Sequence, residues 1–209
     1  MEPIIELRNI SKTFGGITAL NSVSLEVNEG EVVGLIGDNG AGKSTLIKLL
    51  LGWYSPTAGT ITIGGNNIKE LSSLQLANEI YLMPQNVILF DDMTITENIF
   101  YNKEIKSLNN FNLPESFINI LDKKVQKNGI NLSGGQKRIV LLLRTYFNSA
   151  PIVILDEPIS NIDKNTIEIC NSIIKEISKN RTLICISHTD INIEFDNIID
   201  LNKTKKYIK

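Results

Sequence analysis

The run Val32-Val-Gly-Leu-Ile36 passes directly into Gly37-Asp38-Asn39-Gly40-Ala41-Gly42-Lys43-Ser44-Thr45 and then into Leu46-Ile-Lys-Leu-Leu-Leu51. Residues 32–36 are almost continuously apolar, the pattern of a strand covered on both faces. Residues 43–51 have helical spacing and stop at Gly52, a turn signal. Between them, residues 37–44 match G-x-x-x-x-G-K-[ST] at every fixed position. In a strand–loop–helix setting this pattern cradles phosphate. Successive amides turn inward where glycine leaves the approach open, Lys43 supplies a point charge, and the Ser44 hydroxyl is a ligand for Mg²⁺. The alternative is a glycine-rich turn with an exposed lysine, and the flanking elements argue against it.

Further along, Ile152-Val-Ile-Leu-Asp156-Glu157 is an apolar strand ending in two carboxylates. Asp156 at the strand tip is placed to face a metal beside the phosphate loop. Glu157 points elsewhere and is placed to polarise an attacking water. Phosphoryl transfer needs positioning and charge neutralisation more than covalent help, so these two roles suffice. Taken without the phosphate loop, Asp-Glu-Pro could equally be a solvated turn. His188, the only histidine, closes a strand-like stretch over residues 183–187. Such a residue is often merely structural, but the carboxyl edge of a parallel sheet is where nucleotide sites form. Gln85 follows strand-like residues 80–83 and could reach the metal or the water through its amide, although a surface glutamine is ordinary. Phe14 could stack on an adenine face or belong to the core.

Leu132-Ser133-Gly134-Gly135-Gln136 opens an amphipathic helix over residues 134–148. Amides at a helix start, unobstructed by Cβ atoms, make an anion site. The chain thus carries two phosphate-binding surfaces, and one nucleotide needs only one. The second surface implies a partner.

At 209 residues the chain holds one sizeable α/β domain with room for an inserted lobe. A net charge of −2 argues against a nucleic-acid binder, so no nucleic-acid partner is expected. Cys170 and Cys185 form no CxxC pair and read as reduced core residues of a cytosolic protein. No apolar run reaches the ~20 residues needed to span a bilayer, and residues 1–6 do not read as a signal peptide. Alternating segments over residues 4–7, 23–27 and 60–63 read as strands, and residues 166–177 as a helix. Residues 86–131, rich in Asn and Lys, form a separate, mainly helical lobe with helices over 95–101 and 114–126. Lys203, Lys205, Lys206 and Lys209 read as a solvated tail.

With these residues assembled, the chain resembles the ATP-binding cassette family, the nucleotide-binding subunits of ABC transporters. Phe14, the loop 37–45, Gln85, the signature 132–136, Asp156-Glu157, the turn Ser160-Asn161-Ile162-Asp163 and His188 stand in that family's order. The resemblance implies an α/β fold: a P-loop NTPase core with a mostly parallel sheet, an N-terminal antiparallel β subdomain and an inserted helical subdomain. The single domain 1–209 would divide into a core (1–85 and 150–209) and a helical, signature-bearing part (86–149). It also implies ATP and Mg²⁺ as cofactors. Glu157, His188 and Gln85 would be catalytic, with Ser44, Gln85 and Asp156 at the metal. Phe14, residues 37–45 and Ser133, Gly134, Gly135 and Gln136 would contact nucleotide, the signature doing so across a dimer of two cassettes. Transmembrane permease subunits would dock near Gln85 and hold the chain on the inner face of the cell membrane.

Three departures stand out. The 160–163 turn usually reads Ser-Ala-Leu-Asp, the stretch 85–132 is short, and Phe14 replaces a commoner tyrosine. A soluble, non-transport cassette is the competing reading, and a module that closes on ATP without turnover is a third. Residues 15–20 and 93–100 look like importer segments and residues 85–90 like exporter ones, so direction stays open.

Overall fold

The computed structural model describes residues 3–188 and 191–204. In chain order the elements are β1 (Ile5–Phe14), β2 (Ile17–Val27), β3 (Val32–Ile36), α1 (Lys43–Leu50), β4 (Ala58–Ile63), β5 (Asn66–Asn67), α2 (Ser73–Glu79) and β6 (Ile80–Met83). There follow α3 (Ile95–Ile99), α4 (Glu115–Ile118), α5 (Gly134–Phe147), β7 (Ile152–Asp156), α6 (Lys164–Ser178), β8 (Thr182–Ile186), β9 (Asn197–Asp200) and α7 (Leu201–Thr204). They build an antiparallel sheet ordered β2-β1-β4-β5 and a parallel sheet ordered β6-β7-β8-β3-β9. The expected α/β class and both sheet types are present.

The alternation of β7 shows how the parallel sheet serves two cores. Ile152 and Ile154 pack into a cluster with α1 and the antiparallel sheet, through Leu46, Leu49, Ile5 and Ile61. Val153 and Leu155, on the opposite face, join α5 and α6 through Leu142, Ile173 and Ile174. All four β7 side chains are fully buried, each worth ~1.5–3 kcal/mol relative to exposure. The strand that carries the acid pair is therefore among the best anchored.

β1 and β2 run longer than their alternation predicts. Register shifts between Leu7 and Thr13, with Asn9 at φ 50° and Ser22 at φ 51°, break the period-two pattern that sequence reading relies on. The lobe differs more. Of residues 114–126 only α4 is helical, and the helix expected over 95–101 stops at Ile99. Backbone pairing explains this: Asp92 donates to the Val125 carbonyl (2.9 Å), Val125 to Met93 (2.8 Å), and Ile95 to Lys123 (3.0 Å). Those bonds occupy groups a helix would use, and they sink Val125 into the core beside Phe117.

Asn98, wholly buried, ties the same segment together. Its Nδ2 donates to the Phe90 and Thr94 carbonyls, while Oδ1 accepts from the Phe90 amide and from Arg144. At the far end of α5, Arg181 donates to the carbonyls of Thr145 and Tyr146, and Lys103 to that of Phe147. The last carbonyls of the helix are thereby satisfied. Lys205, Lys206 and Lys209 of the expected tail lie outside the described residues, whereas Lys203 is exposed and pairs with Asp200. Cys170 and Cys185 are buried and unbridged, and burial pushes the Cys170 thiol up to about 12.

Candidate nucleotide site

Four parallel strands deliver their carboxyl ends to one edge. β3 runs into the phosphate loop, β6 into Gln85, β7 into Asp156 and Glu157, and β8 into His188. Asn39, Lys43, Ser44, Gln85, Asp156, Glu157, Ile186 and His188 line one cavity of ≈ 330 Å³. Three larger concavities, ≈ 520 Å³ beside Tyr146, ≈ 570 Å³ beside Trp53 and ≈ 340 Å³ beside Lys103, contain neither a histidine nor a carboxylate pair. The titratable groups singled out in the sequence gather in the smaller one.

The loop's path depends on Gly42, at φ 103°. A Cβ there would lie 2.5 Å from Leu20 Cδ2 and 2.8 Å from the Ala19 carbonyl, so any side chain would collide with β2. Gly42 is also the N-cap of α1, and no side chain caps that terminus. Its first amides therefore have no side-chain acceptor and are placed to donate to an anion. Lys43 Nζ donates to the carbonyls of Gly37 and Asp38, partners that an ionised phosphate oxygen would outbid.

Asp156 is half-buried. Burial and then the charge of Glu157 push its pKa up, against Lys43 and Arg138. A raised carboxylate pKa means that ionisation costs the fold stability. That cost is absent below the ordinary carboxylate range, builds as pH rises from that range towards the raised value, and is complete above it. Asp156→Asn is therefore expected to raise Tm in metal-free neutral buffer, with the gain shrinking as pH falls towards the ordinary carboxylate range. Calorimetry at two pH values checks it.

Glu157 is a non-glycine residue at φ 52°, a conformation kept only where neighbours over-determine it. Its amide donates to the Ile186 carbonyl (2.8 Å), and its own carbonyl accepts from the Ser160 amide and hydroxyl. The carboxylate accepts from the His188 amide (3.4 Å) and lies 3.6 Å from His188 Nε2. A buried carboxylate beside an exposed imidazole, facing a phosphate loop, is suited to orienting water.

The signature stands apart, since none of residues 132–136 lines the cavity. Ser133 caps α5 by a reciprocal box: its hydroxyl accepts from the Gln136 amide (3.1 Å), and Gln136 Oε1 accepts from the Ser133 amide (2.9 Å). The Gln136 side chain, expected at a phosphate, is thus committed to the cap. Ser133 and Gly134 are exposed, while Gly135 packs so closely that a Cβ would sit 2.8 Å from the Thr166 side chain. Phe14 is not brought to the cavity either. Its ring meets Tyr54 edge-on at 5.1 Å, under the Lys12 ammonium. Arg138 escaped notice in the sequence, although a basic residue heading the apolar run 139–143 was its signal.

A phosphate loop, a strand-end acid pair and a histidine on the carboxyl edge of a parallel sheet define a P-loop nucleoside triphosphate site. Comparison with known proteins narrows the class. The family model described as ABC transporter matches residues 20–160. The ATP-dependent lipid A-core flippase of Escherichia coli (strain K12) is 33% identical over 203 residues, 91% of this chain and 35% of that protein, and the Shigella flexneri protein of the same name matches equally. A solved structure of a bacterial Atm1-family ABC exporter with ATP bound gives a TM-score of 0.81 at 30% identity, covering 97% of this chain and 37% of that one. The chain belongs to the ABC transporter family. It spans about a third of the length of these relatives, and none of its described helices is long and apolar enough to cross a membrane.

Proposed function

We propose that this chain is the Mg²⁺-dependent ATPase of a transporter, in which two cassettes close over two ATP molecules. The observation that supports it most is the single cavity where Lys43, Asp156, Glu157 and His188 meet while the signature corner lies outside. The amides of residues 37–45 and Lys43 hold the triphosphate. Glu157 accepts a proton from water as its oxygen bonds to the γ-phosphorus; the β–γ bridging bond breaks, and ADP leaves with inorganic phosphate. His188 holds the γ-phosphate side and registers its loss.

The oxygen donors Ser44, Gln85 and Asp156, brought together in one cavity beside Lys43, fit Mg²⁺. Held by these three residues, Mg²⁺ would neutralise phosphate charge.

The exposed corner Ser133-Gly134 would meet the γ-phosphate of the opposite cassette, making ATP the bridge that hydrolysis removes. Opening then passes to transmembrane domains docked near Gln85 and the lobe, which keep the chain on the inner membrane face. The exporter and flippase likenesses favour outward movement. Phosphate release from Mg²⁺-ATP by the purified chain tests this: release is expected, lost with EDTA and in Lys43→Ala. Tight ATP binding without release would overturn it.

A further inference from the structure

Arg138 lies one turn into α5, four residues beyond Gly134, and is only 5% exposed. Its Nη2 donates to the Gln85 carbonyl at 3.2 Å and lies 3.5 Å from Ser160 Oγ. Ser160 Oγ in turn donates to the Glu157 carbonyl at 3.2 Å. One guanidinium thus joins the signature helix, the segment after β6, and the turn that follows the strained acid. The fork is only partly used. Nε and Nη1 are buried and have no hydrogen-bond partner among the described residues.

Burial disfavours the charge on Arg138, offset in part by the carboxylates of Glu157 and Asp156. A permanently buried cation with idle donors is a poor structural device, because an apolar side chain of similar volume would hold the same space at lower cost. Idle donors make sense if a second arrangement of the same segments uses them. The segments at hand are the two loops flanking Glu157.

We infer that Arg138 is a positioning residue for hydrolysis: it sets Glu157 through Ser160 while holding the Gln85 backbone, and its spare N–H groups are taken up when these loops rearrange around ATP. The inference rests on the hydrolytic reading of the site. Arg138 itself touches no substrate.

The test is a kinetic double-mutant cycle on the full chain, with Mg²⁺-ATP binding and urea midpoints measured in parallel. Arg138→Gln is expected to bind Mg²⁺-ATP as the parent does and to lose on the order of 10- to 10²-fold in kcat. Arg138→Lys keeps the charge but lacks the fork, and is expected not to restore the rate. Ser160→Ala is expected to cost less, and to add little in the Arg138→Gln background. A parental kcat in Arg138→Gln, a loss that merely tracks the folded fraction, full rescue by lysine, or multiplicative losses would each overturn the inference. Should both Arg138 variants fail to fold, Ser160→Ala decides alone, and an unchanged kcat there refutes it. Failure of the underlying ATPase reading looks different: the unmodified chain would itself release no phosphate above Glu157→Gln.

Discussion

Glu157→Gln is expected to lower ATP turnover by about 10²- to 10⁴-fold while Mg²⁺-ATP still binds. The amide keeps the size of the carboxylate and its ability to accept from the His188 amide, so the strained backbone at φ 52° has no reason to move. What it loses is proton affinity. The binding groups, Lys43 and the amides at the start of α1, come from another strand's loop and are untouched. The expected signature is therefore a collapse of kcat with nucleotide affinity retained. Stopped-flow nucleotide binding together with steady-state phosphate release measures both. Equal losses in affinity and rate would move Glu157 from chemistry to binding.

The second large effect is expected from Ser133→Arg, which should retain ATP binding by the single chain and abolish ATP-dependent association. Ser133 is exposed and lies outside the cavity, so an arginine there meets solvent in the isolated chain. Its hydroxyl does cap α5, and losing that cap costs ~1 kcal/mol, a loss a domain of this size tolerates. In the closed pair the same position would press a long side chain into the narrow gap over the partner's γ-phosphate. Association should fall out while a fluorescent ATP analogue still binds to the lone chain.

The parts of this architecture that could be read from sequence are those governed by local rules. The phosphate loop was legible because its glycines, lysine and serine act together within one turn. β3, β7 and β8 were legible because burial on both faces leaves unbroken apolar runs. β1 and β2 were blurred by bulges at which side chains switch faces. The 121–125 segment departs from the helix its pattern predicts because its turn and isolated bridge are held by backbone partners some 25–35 residues away, which no local pattern encodes. Gln136 and Arg138 differ in what local sequence could tell of them. The first is claimed by a reciprocal cap whose Ser-x-x-Gln spacing was visible, and the second by loops that only the tertiary fold brings together. For Phe14, stacking chemistry named the residue type, yet Tyr54 supplies its contact here.

Sizing by light scattering on the Glu157→Gln chain, with and without Mg²⁺-ATP, tests most directly whether nucleotide is shared between two copies. A doubling of mass that requires Mg²⁺-ATP, and that disappears when Ser133→Arg is added although nucleotide still binds, is the predicted result. A mass that ignores ATP, or a doubling that survives Ser133→Arg, would contradict the shared site.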